Sequence, residues 1–126
     1  MNDNMQEMIV WGRNFELDID FDCFPGEDIS DMQRLALEKF IETGCVNEVE
    51  TEIKDYCLRK NRDEIKEESI ENIFRYVIPE SIYVVNESEK RIVALMCEYK
   101  FDIEHGLAIV FENEHLQAIG PQDVIL

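Results

Sequence analysis

The stretch Phe15-Glu-Leu-Asp-Ile-Asp-Phe-Asp22 alternates apolar and acidic residues over eight positions without a break. Successive side chains of a strand point to opposite faces, so this period of two specifies a half-buried β-strand. Phe15, Leu17, Ile19 and Phe21 turn toward a core, and Glu16, Asp18, Asp20 and Asp22 turn away from it. A helix would scatter both sets around its circumference. The chain must therefore build a sheet with one buried and one polar face, and Pro25-Gly26 ends this strand of it.

Met8-Ile-Val-Trp11 precedes it across the turn Gly12-Arg-Asn14, which predicts a hairpin. The last third returns to strand patterning: Ser81 to Val85, Arg91 through Cys97 to Phe101, Leu107 to Phe111, and His115 to Ile119. The polar turns Asn86-Glu-Ser-Glu89 and Glu112-Asn-Glu114 fall between these runs, the spacing of an antiparallel meander. Trp11 and Tyr83 are read as strand residues, where an aromatic most often packs the core, although one left exposed could anchor a partner.

The middle reads as helix. Ser30-Asp-Met-Gln33 has the form of a capping box, Met32, Leu35, Ala36, Phe40 and Ile41 follow at helical spacing, and Gly44 suits a left-handed close. Asn47, with Glu50 three residues on, predicts a second helix with the stripe Val49, Ile53, Tyr56 and Cys57. The segment from Asp63 to Val77, with Ile65, Ile70, Ile73, Phe74 and Val77, predicts a third, which Pro79 stops. The expectation is one α+β domain over residues 1–126, an antiparallel sheet from an N-terminal hairpin and a C-terminal meander, with about three helices packed on one face.

The 126 residues carry a net charge of −17, with acids spread evenly along the chain, 16 in residues 1–63 and 13 in residues 64–126. Such a surface repels phosphate backbones and anionic lipid, so nucleic-acid and membrane-surface binding are disfavoured and a basic partner is favoured. No apolar run reaches membrane-spanning length, and the start Met-Asn-Asp-Asn-Met-Gln-Glu lacks the features of a signal peptide, so a cytoplasmic protein is expected. Cys23, Cys45, Cys57 and Cys97 show no CxxC spacing and are expected to be free, mostly buried thiols.

Asp18-x-Asp20-x-Asp22 resembles the opening of a calcium-binding loop, but the glycine and glutamate such a loop needs at its sixth and twelfth positions are Cys23 and Ile29 here. On a strand, alternate carboxylates stand roughly 6.6 Å apart, which suits a contact surface better than one ion. No metal ligand set and no cofactor is read from the sequence. Cys97-Glu-Tyr-Lys-Phe-Asp-Ile-Glu-His-Gly106 is the densest polar cluster of mixed chemistry. Histidine beside carboxylates suits a turn, a recognition loop, or a metal-dependent or hydrolytic centre on Glu98, Asp102, Glu104 and His105. No nucleophile elbow or phosphate loop accompanies it, and His115 is read as a lone exposed histidine.

The run Cys97 to Phe111, followed by Gly120-Pro-Gln-Asp-Val124, resembles a family of small uncharacterised bacterial domains marked by a strand, an acidic turn ending in Glu-His-Gly, and a returning strand. Members more often have tryptophan where this chain has Phe101. The resemblance implies a preferred turn at Asp102, Glu104, His105 and Gly106, and an association of some members with toxin systems; it transfers no activity. The reading carried forward is a non-enzymatic protein-binding domain, in concrete form a toxin-immunity protein. Its contact residues would be Glu16, Asp18, Asp20, Asp22, Asp102, Glu104 and His105. The alternatives are the enzyme centred on Glu98 to His105 and a structural scaffold module.

Overall fold

The computed structural model describes residues 4–125; Met1 to Asp3, part of the start read above for a leader, and Leu126 lie outside the described residues. Six strands form one sheet in chain order: β1 (Met5–Val10), β2 (Arg13–Phe21), β3 (Val77–Val84), β4 (Ile92–Tyr99), β5 (Leu107–Glu112) and β6 (His115–Gly120). Helices α1 (Asp31–Thr43) and α2 (Glu50–Lys60) lie between β2 and β3, with short 3₁₀ turns at Cys45–Val49, Ile73–Arg75 and Gln122–Val124. The N-terminal hairpin and the C-terminal meander form as expected. The sheet as a whole is mixed, because β2 and β3 pair in parallel. The chain leaves the end of β2, crosses one face of the sheet through both helices and re-enters in the same direction, and a crossover of that kind delivers a parallel neighbour.

Gln33 secures that crossover. The amide nitrogen of this fully buried residue donates to the carbonyls of Asp22 (2.9 Å), just past β2, and Val84 (3.2 Å), the last residue of β3. Its amide oxygen accepts the Ser30 N–H at 3.1 Å, completing the capping box that starts α1. Gly44 then closes α1 at φ 60°, in the left-handed region the helix end requires.

The core face is organised by a row of aliphatic side chains across five strands: Ile19 beside Ile82, then Leu95, Ile109 and Ile119. Ile82, Leu95 and Ile109 are completely buried, and each such side chain stabilises by roughly 1.5–3 kcal/mol. Ala36 and Phe40 of α1 and Ile53, Tyr56 and Cys57 of α2 join the same cluster, with Phe40 meeting Phe111 edge-on at 5.5 Å. The opposite face grades from acid to small apolar groups along two rows. One runs Asp18, Ser81, Met96, Ala108, Gly120; the other runs Asp20, Tyr83, Ala94, Val110, Ala118. Ala94, Met96, Ala108 and Val110 form a second cluster packed by Tyr83, Ile92 and Ile125.

The expected antiparallel sheet is thus mixed, through the parallel pairing of β2 with β3, and two further expectations are corrected. The segment from Asp63 to Val77 is not a helix: it is an irregular connection with one 3₁₀ turn, capped by the Asn72 side chain accepting the Phe74 N–H, and β3 begins at Val77. Ile65, Ile70 and Ile73 are buried as predicted, but as separate anchors. A helix here would stack Glu64, Glu67, Glu68 and Glu71 at spacings of three and four, where like charges repel. Trp11 lies in the hairpin turn and not in a strand. Trp11 and Gly12, at φ 49° and 84°, form a two-residue turn whose handedness matches the twist of the flanking strands. The unfavourable φ of Trp11 is offset by three bonds to the Cys45–Val49 turn: its indole N–H donates to Val46 O, its backbone N–H to Asn47 Oδ1, and Asn47 Nδ2 to Ile9 O.

Candidate functional site

The acidic face of β2 is exposed as its alternation requires: Glu16, Asp18 and Asp20 point away from the core face, and Asp22, just past the strand, is also exposed. The parallel pairing brings β3 beside them, with Asp18 opposite Ser81 and Asp20 opposite Tyr83. The Tyr83 hydroxyl is held above its ordinary range by burial and then by Asp22 and Asp20. Between Pro79 and Ser81 the β3–β4 register slips, a bulge at which proline's missing N–H is tolerated. Glu80 therefore stands out of the regular ladder. Its carboxyl is raised by burial first and then by the charges of Glu98 and Asp18.

These side chains line two cavities that share Glu80 and Gln122. The larger, about 440 Å³, lies against Ile78, Glu80, Glu98, Ile103 and Glu104. The smaller, about 260 Å³, lies against Asp18, Asp20, Ser81 and Tyr83. Gln122 is fixed where they meet, its N–H donating to His105 O at 2.9 Å and its side-chain amide to Cys97 O at 3.2 Å. The result is a two-chambered groove along β3, acidic at its rims with Ile78, Tyr83 and Met96 among its apolar lining.

The turn after β4 has the compact form expected of Asp102 to Gly106. Asp102 Oδ1 accepts the His105 N–H at 3.1 Å and meets His105 Nδ1 at 3.0 Å, while the Gly106 N–H donates to Asp102 O at 2.8 Å. Gly106 adopts φ +60°, and a Cβ there would lie 2.7 Å from both Cys97 O and Gln122 Nε2. Only glycine meets both demands. The His105 backbone N–H holds the Asp102 carboxyl below its usual range, and Asp102 in return raises the imidazole of His105.

The four residues of the enzyme reading are not gathered at one point. Glu98 and Glu104 line the larger cavity, Asp102 faces a separate cleft with Tyr56, Asn61 and Tyr99, and His105 bonds to Asp102. Among the described residues, no group of three or more His, Cys, Asp or Glu is placed to hold a metal ion. The four cysteines are free, three of them buried, and burial pushes the Cys57 thiol up to about 11, well away from the thiolate a nucleophile requires. His115 is exposed at the start of β6.

Glu80, Tyr83 and Gln122 complete the groove and were not singled out as site residues. The available signal was Pro79: a proline inside a strand marks a bulge, and a bulge re-aims the side chain beside it.

The geometry defines a class: an α+β domain whose helices cover one face of a mixed sheet and leave an acidic groove on the other. The chain belongs to the family described as Domain of unknown function (DUF6985), whose model matches residues 2–126. No curated protein matches the chain, and no solved structure does. None of the helices described is long and apolar enough to cross a membrane.

Proposed function

We propose that this domain binds a basic protein through the acidic face of its sheet. The observation that carries the reading is a set of carboxylates on the open sheet face that have no ion-pair partner among the described residues. Glu67, Glu112 and Glu114 are paired with Arg75, Lys90 and Arg91. Among the described residues, no ion pair reaches Glu16, Asp18, Asp20, Glu80, Glu98 or Glu104, and all six lie on the open sheet face or at its rim. Clustered like charge without internal partners raises the potential over one surface, which speeds association with an oppositely charged partner and selects for it. Asp102 and His105 satisfy one another and serve in this reading to shape the rim that Glu104 extends. The concrete form of the proposal is an immunity protein that covers a basic toxin.

The test is capture of a partner from the native host at low salt, with a charge-reversed Asp18→Lys/Asp20→Lys protein in parallel. The expected result is a basic protein retained by the parent chain, released by salt and lost with the reversal. Equal retention by both proteins would favour a scaffold role and count against this one.

A further inference from the structure

The groove has a shape that narrows the partner beyond its sign of charge. Its two chambers follow β3, the larger at Ile78 and Glu80 and the smaller at Ser81 and Tyr83, and they join at Glu80 and Gln122. A groove along a strand fits an extended segment, whose alternate side chains point the same way about two residues apart. The lining of the larger chamber combines apolar surface from Ile78 and Ile103, the latter 88% exposed, with the carboxylates of Glu80, Glu98 and Glu104. That combination matches a side chain with an aliphatic stem and a cationic head. Two of the protein's own cations, Arg75 and Lys100, also line this chamber, and the three carboxylates outnumber them. Arg75 pairs with Glu67 at 3.6 Å, and the Lys100 ammonium lies 5.8 Å from the centre of the Tyr76 ring and 6.0 Å from that of Phe101. The smaller chamber repeats the arrangement with Asp18 and Asp20 beside Tyr83 and Met96.

We infer that the groove seats an extended segment of a partner protein, with one Lys or Arg side chain in the chamber at Ile78, Glu98 and Glu104 and a second in the chamber at Asp18, Asp20 and Tyr83. Glu80, shared by both chambers, faces both cationic heads. The inference rests on the acidic-face reading and adds the form of the ligand and the residues that hold it. It also separates Glu98 and Glu80 from Glu16, which lies on the same sheet face but lines neither chamber.

The experiment titrates the full chain at low salt with a short acetylated peptide carrying two arginines one residue apart, and with its citrulline counterpart, which keeps the shape and removes the charge. The arginine peptide should bind and the citrulline peptide should not. Glu98→Gln combined with Glu80→Gln should weaken binding at least about fivefold, and Glu16→Gln by less than about twofold, the difference between a charge in contact and one at the rim. Removing carboxylates from a crowded acidic surface favours folding, so the double variant remains measurable. Equal weakening by Glu16→Gln would overturn the groove while leaving a diffuse acidic face intact, and binding of the citrulline peptide would show that charge is not recognised and count against both. Absence of salt-sensitive binding by the arginine peptide, together with absence of any basic partner in the capture experiment, would overturn both.

Discussion

Glu80 shows at a single residue how the fold and the proposed function pull apart. Burial and the neighbouring charges of Glu98 and Asp18 raise its carboxyl above the unfolded value of 4.5, so the unfolded chain ionises it more readily than the folded one. Stability is therefore lost as pH rises from 4.5 through the folded value, and the penalty is fully present at neutral pH. Glu80→Gln removes it and should raise the melting temperature at pH 7 while weakening the basic peptide, the trade expected of a binding group. A lowered melting temperature would show that Glu80 is structural. The Asp102–His105 pair has the opposite sign. Raised above 6.5, His105 contributes stability that is complete below 6.5 and lost as pH rises through its folded value. Asp102, held below 3.8, contributes above 3.8 and loses that contribution as pH falls through its own. An NMR titration should place the His105 imidazole above 6.5, and Asp102→Asn should return it toward that value; an unchanged titration would contradict the pairing. Gln33→Leu leaves the Asp22 and Val84 carbonyls and the Ser30 N–H without their side-chain partner and should cost about 2–3 kcal/mol in urea unfolding.

At the level of elements, the hairpin and the Cys45–Val49 turn are joined mainly through Asn47, whose side chain accepts from Trp11 N–H and donates to Ile9 O. Asn47→Ala should destabilise by about 1–2 kcal/mol and shift the tryptophan fluorescence, since Trp11 would lose one of the bonds holding its left-handed φ. The sequence placed Asn47 at a helix start, where its type is common, because local patterning does not show a bond made 36 residues away. The same limit explains the missing third helix. Ile65, Ile70 and Ile73 satisfy helical spacing and are all buried, yet tertiary anchoring and the acidic repeat between them select an irregular path. Where patterning extends through a whole element, it was legible: the alternation of β2, the capping box and left-handed close of α1, and the buried stripe of α2 all appear in the structure. The parallel join of β2 to β3 was not, because strand direction depends on how the crossover returns. The groove was half legible for the same reason: Asp18 and Asp20 follow from periodicity, while Glu80 and Gln122 reach them only through β3 and the C-terminal turn.

Across the whole molecule, 29 acids face 12 bases, and the repulsion among them acts against compactness. Added sodium chloride should therefore stabilise the domain through the range in which the Debye length falls from about 30 to about 8 Å. Thermal melts at 0.01 and 0.15 M salt check this, and lower stability at higher salt would mean that paired charges outweigh the repulsion. The same screening should weaken partner binding, so stability and affinity should move in opposite directions with salt. The most direct measurement of the central claim is an amide chemical-shift map of the full chain titrated with the two-arginine peptide at low salt. The acidic-face account predicts perturbations concentrated on β2, β3 and the start of the turn after β4, at Asp18, Asp20, Glu80, Tyr83 and Glu98, and reversed by added salt. Perturbations centred on the exposed faces of α1 and α2, or a map that salt leaves unchanged, would contradict it.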